Sequence, residues 1–141
     1  MSAPSAVAVA SIFVWLGMVL AISFLEAPLK FRAPGVTLQI GLGIGRLVFR
    51  ALNAAELVLG LTALVALQFQ PPPLRTMVAI LVAVVVLGLQ LVVVRPRLNR
   101  RSDAVLAGEE GPRSRGHYYY VGLELIKVIA LLISGILLLA A

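Results

Sequence analysis

Four stretches of the chain stay apolar for about the thickness of a bilayer, separated by short polar or proline-rich breaks. At 1.5 Å per residue, a helix needs roughly 20 residues to cross the hydrocarbon. Stretches at about 5–25, 40–70, 76–94 and 118–141 meet that requirement. Pro28 and the Pro34-Gly35 pair mark the end of the first, Pro71-Pro72-Pro73 the end of the second, and Arg95-Pro96-Arg97 the end of the third. Taken alone, Val84-Val85-Val86 has strand character, but a membrane-spanning strand needs only about 9–11 residues and alternates in polarity. The pattern therefore predicts an all-α integral membrane protein, a bundle of four transmembrane helices forming one membrane domain over 1–141.

Composition supports the same reading. Residues are 61% hydrophobic and 13% charged, whereas soluble domains carry roughly 45–50% apolar and about 25% charged residues. The chain has no cysteine, which excludes a disulfide scaffold and thiol redox relays. Its single histidine leaves no partner for a bis-histidine haem within one chain. The apolar run over 6–25 is longer than the core of a signal peptide and lacks a basic leader, so it is expected to be a retained anchor.

Charge then sets the expected orientation. Ten of the twelve basic residues fall in two places. Lys30, Arg32, Arg46 and Arg50 lie between the first two apolar stretches, and Arg95, Arg97, Arg100, Arg101, Arg113 and Arg115 lie between the last two. Basic residues in short loops stay on the cytoplasmic side. Loops at about 28–40 and 95–117 are thus expected in the cytoplasm of a multi-pass protein of the cell (inner) membrane, with both termini outside. The second loop, with Asp103, Glu109 and Glu110, reads as a solvated connection that orients the chain and touches anionic lipid. The partner of this basic excess is the bilayer, not nucleic acid.

Gly41, Gly43 and Gly45 suggest a phosphate loop, but the third glycine of the dinucleotide pattern falls on Arg46 and no strand precedes it. Gly41 and Gly45 are instead expected to let helices approach closely, within the chain or between copies in a homo-oligomer.

Candidate chemistry lies in ionisable residues inside the spans, because a charge in hydrocarbon is costly and is kept with a partner or a purpose. Arg46, Arg50, Asn53 and Glu56 recur at steps of four, three and three in the second helix; His117, Tyr120, Glu124 and Lys127 recur at steps of three, four and three in the last. Each set falls on one helical stripe. Glu26 and Gln90 lie at the same end of the first and third helices. The opposite half, 57–67 and 129–139, holds only Thr62 and Ser134 as polar side chains. Glu26, Glu56, Glu124 and His117 include metal-ligand types, but they are scattered over three helices without an E-x-x-H repeat, so no metal is expected. Lys127 has two plain alternatives, snorkelling or pairing with Glu124, and Arg50 could snorkel to lipid phosphates. Glu56 is too deep and too short to snorkel and needs an internal partner or a proton.

Two resemblances attach to these residues. The run Arg46-x6-Asn53-x2-Glu56 resembles the signature of the membrane-associated eicosanoid and glutathione metabolism family, in which the matching Arg, Asn and Glu help bind glutathione between subunits of a trimer. Phe49 stands where that family has another Arg. Gly17 through Phe31-Arg32, Pro34, Pro96-Arg97-Leu98 with Arg101, and His117-Tyr118 resemble a small four-helix family of unknown function that includes a mammalian transmembrane protein associated with cisplatin resistance. That likeness implies a membrane bundle handling a small solute or metal complex.

The leading expectation is binding or transport of a small solute or ion at a polar intramembrane site open to the cytoplasm. Glu56 and Glu124 serve there as proton-responsive carboxylates, with no cofactor. A glutathione-dependent transferase, with glutathione as its cofactor, is the second reading. A structural or assembly subunit of a membrane complex is the third.

Overall fold

The computed structural model describes residues 1–106 and 115–141. Every regular element among them is helical. Helix α1 is Ala3–Arg32, α2 is Leu38–Phe69, α3 covers 74–106 and α4 is Arg115–Ala140. Each contains a segment long and apolar enough to cross a membrane. The chain is thus a multi-pass all-α membrane bundle. Its outer faces carry exposed Leu57, Leu61, Val85, Leu132 and Ile136, as helices facing an apolar solvent should.

Local chemistry sets most of the helix ends. Ser2 caps α1 by accepting from the Ser5 backbone N–H at 3.2 Å, and its hydroxyl also donates to the Gln70 side-chain oxygen, fastening the start of α1 to the end of α2. Thr37 caps α2 in the same way, accepting from the Ile40 N–H at 3.2 Å. The proline triplet after Gln70 stops α2 as expected. Glycine matters at the α1–α2 turn, where Gly35 takes φ +82°, a conformation unfavourable for other residues.

Two prolines do not act as expected. Pro28 does not end α1, which continues to Arg32, and Pro96 does not end α3, which continues as Arg95–Leu106. In both places π-helical turns come immediately before: Leu20–Glu26 in α1 and Gln90–Val94 in α3. Each proline is the second residue after its π segment. A proline costs a helix its N–H bond and clashes with the carbonyl one turn back, except in a first turn. The shift from π to α register makes such a first turn, so the helix axis continues. Residues 95–106 are accordingly helical and not a loop; Glu109, Glu110 and Arg113 lie outside the described residues.

The main packing pairs are α1 with α2 and α3 with α4, joined by α1 against α4. One apolar core runs through them, with Ile12, Trp15, Val19, Ala63, Leu67, Ile80, Leu87 and Leu131 buried. Glycines let aromatic rings in close: a Cβ at Gly60 would lie 3.3 Å from Trp15 Cζ3. The Gly41/Gly45 face is also filled, but differently from the expectation of helix against helix. Side chains of Phe31 and Lys30 from the end of α1 occupy it, so tightly that a Cβ at Gly41 would come within 2.1 Å of the Phe31 ring. Short α2 residues accommodate the turn that folds back over them.

Gly60→Val is therefore expected to overpack the Trp15 ring and to lower stability by about 1–3 kcal/mol. Thermal unfolding in detergent measures the loss. Trp15, the sole tryptophan, should report the displacement through its emission.

Candidate functional site

At the centre of the bundle lies a fully buried ionic cluster. Lys127 Nζ on α4 lies 2.5 Å from Glu56 Oε1 on α2 and 2.5 Å from Glu124 Oε1 one turn earlier on its own helix. It also donates to Gln90 Oε1 on α3 at 2.7 Å. Its three donors thus meet three acceptors from three helices. The fourth helix contributes as well: Trp15 Nε1 donates to Glu56 Oε1 at 2.9 Å, and the Ser23 hydroxyl donates to Glu124 Oε2. Gln90 Nε2 completes the set by donating to Glu124 Oε1 at 3.0 Å. Glu56, Lys127, Glu124, Gln90 and Trp15 are each at most 1% exposed.

The backbone explains how α1 reaches the cluster twice. In a straight α-helix the eight residues from Trp15 to Ser23, at roughly 100° each, would leave Ser23 about 80° off the Trp15 face. The wider π turns rotate less per residue and return Ser23 to that face. Gly60 lies one turn from Glu56 on α2 and leaves room for the indole to lie against the helix, its N–H on the carboxylate. Gln90 begins the second π segment.

Charge in the cluster does not balance. Two carboxylates share one ammonium, and Glu56 Oε2 has no hydrogen-bond partner among the described residues. Asn53, three residues earlier and buried on the same helix, also leaves its Oδ1 without a partner among them.

Beside the cluster, toward the end rich in Lys and Arg, lies a cavity of about 580 Å³. Segments of all four helices line it. Ser23 and Glu124 belong to both the cavity wall and the cluster, so the two communicate. Arg95 enters the cavity wall between two rings, its Cζ 4.8 Å from the Phe49 centroid and 4.5 Å from that of Tyr120, while the rings meet edge to face at 5.8 Å. Lys30 and Arg46 also line it. Each has a carboxylate partner: Glu26 at 3.9 Å from Lys30, and Asp103 at 2.6 Å from Arg46.

The sequence-derived candidates thus divide. Glu56, Glu124, Lys127 and Gln90 converge in one cluster, with Asn53 adjacent. Tyr120 and Arg46 line the cavity, and Glu26 is paired at its margin. Arg50 is exposed on the outside of α2 and takes no part. His117 lies in α4, but its side chain is outside the described residues. Arg46, Asn53 and Glu56, the residues of the glutathione-family likeness, span eleven residues, about 15 Å of helix from first to last. They take separate environments: Asp103 at one end, Lys127 and Trp15 at the other. No group of three or more histidine, aspartate or glutamate residues among those described is placed to hold a metal.

Sequence reasoning missed Trp15, Ser23, Phe49 and Arg95. The position of the sole tryptophan deep within a span was a usable signal, since tryptophan favours the membrane interface and needs a partner when buried. Arg95 was hidden by the assumption that Pro96 ends the helix. Comparisons with protein-family models, with curated proteins and with solved structures give no match to this chain.

Removing one side of this pairing tests its weight. Lys127→Met leaves two buried carboxylates without their cation and should cost about 3–5 kcal/mol. Adding Glu56→Gln and Glu124→Gln should restore most of that loss, because no buried charge then remains unpaired. Arg50→Gln should neither destabilise nor rescue, as followed by denaturation in detergent.

Proposed function

We propose that this protein binds or transports a small solute or ion through a polar intramembrane site, in which Glu56 and Glu124 respond to protons. The observation that carries the reading is the charge imbalance of a fully buried cluster next to a cavity. Two carboxylates and one ammonium carry a net charge of −1 when all are ionised, and a low-dielectric interior penalises such an excess strongly. One bound proton or one monovalent cation neutralises it. The Glu56 oxygen without a partner is available to it, and the contact between Glu124 and the cavity wall supplies a route.

The positive-inside rule assigns the basic end, and with it the cavity, to the cytoplasm of the cell membrane, with both termini outside. Single cysteines replacing Arg75 and Ser102 test this in a chain that has none of its own. The cysteine at 75 should react with an impermeant thiol reagent from outside, and that at 102 should not. Equal labelling would indicate dual topology.

A second reading has its own support. Lys127 ties α2, α3 and α4 together through three contacts, as a purely structural clamp would in a subunit or assembly factor. Glu56→Gln separates the two. The substitution leaves one carboxylate for one ammonium, so the solute-site reading expects nearly unchanged stability. It also expects loss of the protonated-carboxyl infrared band that appears on acidification, and loss of protein-dependent proton flux in dye-loaded liposomes. Destabilisation by several kcal/mol, with no titrating band in the unaltered protein, would assign the cluster to structure alone.

A further inference from the structure

The cavity beside the ionic cluster has in its wall a cation, Arg95, that meets no carboxylate among the described residues. We infer that it binds an amphipathic oxyanion, an apolar chain ending in a phosphate or carboxylate, with the head on Arg95 and Tyr120. The proposal names the substrate class of the solute site and rests on that reading of the cavity.

Arg95 Nε and Nη2 are buried and make no well-formed hydrogen bond to a described residue; neither does the hydroxyl of Tyr120, which lies close to the guanidinium on a residue only 6% exposed. An arginine fork in this state is incomplete. Stacking on Phe49 and Tyr120 offsets part of its desolvation, but ring faces cannot accept its in-plane N–H groups as a carboxylate or phosphate does. The Nε–H, the two N–H bonds of Nη2 and the phenol hydroxyl make four donors on two side chains of one wall, suited to a tetrahedral or planar oxyanion. Lys30 and Arg46 add positive charge that their own carboxylates partly balance, which favours a singly charged head over a polyanion.

The remainder of the wall decides between a free anion and one with a chain. Phe24, Phe31, Leu38, Leu42, Leu98 and Val121 surround the cationic patch. An inorganic ion would leave these side chains facing water or nothing, whereas an alkyl chain fills the space. The volume of about 580 Å³ falls within the roughly 300–1,000 Å³ range of small-molecule sites. A single-chain solute and one chain of a membrane lipid share this chemistry.

Equilibrium binding to the full chain in nanodiscs of zwitterionic lipid tests the assignment, with dodecyl phosphate and laurate as single-chain probes and phosphatidic acid as the lipid. Dodecyltrimethylammonium and inorganic phosphate are the controls. Saturable binding of dodecyl phosphate is expected, weakened about tenfold or more by Arg95→Gln and about threefold by Tyr120→Phe, with Arg95→Lys intermediate. Tighter binding of phosphatidic acid would identify a lipid as the source, and tighter binding of the single-chain probes a free solute. Equal affinity for inorganic phosphate, equal affinity for dodecyltrimethylammonium, or binding indifferent to both Arg95→Gln and Tyr120→Phe would overturn the proposal. Should Arg95→Gln not fold, Tyr120→Phe and Arg95→Lys decide the matter, since each keeps the ring or the charge. This readout is independent of proton uptake. Arg95-dependent binding in a protein whose Glu56 does not titrate would remove the proton-coupled reading alone. A titrating Glu56 without such binding would remove the substrate class alone.

Discussion

Placing one ammonium inside a membrane bundle constrains everything around it. Lys127 has no exposure, so its charge cannot reach the interface by extending its stem, and each of its donors needs an acceptor where it stands. Those acceptors come from α2, α3 and α4, and α1 then supplies one further donor to each carboxylate. The helices therefore need a common register at this depth. Apolar packing between helices in lipid is weakly directional, because lipid tails are as apolar as the leucines that face them. A buried ion pair fixed by neutral donors specifies rotation and depth in a way that leucines do not.

The π turns follow from that requirement. A regular α-helix with the sequence of α1 cannot present both Trp15 and Ser23 to the same carboxylate pair, nor pass Pro28 without a break. Widened turns before the proline meet both demands, and α3 repeats the device with Gln90 and Pro96. Local helical regularity is given up at two places, both at the level of the cluster. That coincidence agrees with the tendency of π segments to occur at functional sites.

Much of this architecture was legible in the sequence. Apolar length alone indicated four helices, because the hydrocarbon imposes a minimum that no soluble element needs to satisfy. Helical periodicity placed Glu56, Glu124 and Lys127 on inward faces, because spacings of three and four residues survive in any helix that stays α-helical over that stretch. The losses occurred where that condition failed. Ser23 could not be assigned to the site, since its direction depends on a π turn that no residue type announces. Arg95 was taken for a loop residue, since Pro96 normally ends a helix. Arg50 shared a stripe with Glu56 but turned outward: a stripe has width, and four residues at steps of four, three and three drift across it. The partner of Glu56 was a tertiary fact, set by the helix packing that brings Lys127 of α4 against α2.

The cluster and the cavity have opposite deficits. The cluster has one carboxylate more than its cation can neutralise, and the cavity has a guanidinium, Arg95, that no carboxylate among the described residues answers. Pairing the two directly would have removed both deficits, yet Arg95 is held between two rings while Glu56 faces Lys127 and Trp15. Glu124 and Ser23 lie between them and touch both regions. A fold selected only for stability would be expected to close that gap, because unpaired buried charge is among the most expensive features a membrane interior can hold. On the proposed reading, keeping the charges apart leaves room for a ligand that carries the missing anion and for a proton or cation that completes the carboxylates. Glu124 stands between the two places proposed for a ligand and for a proton, so on that reading a charge bound at either would alter the field at the other.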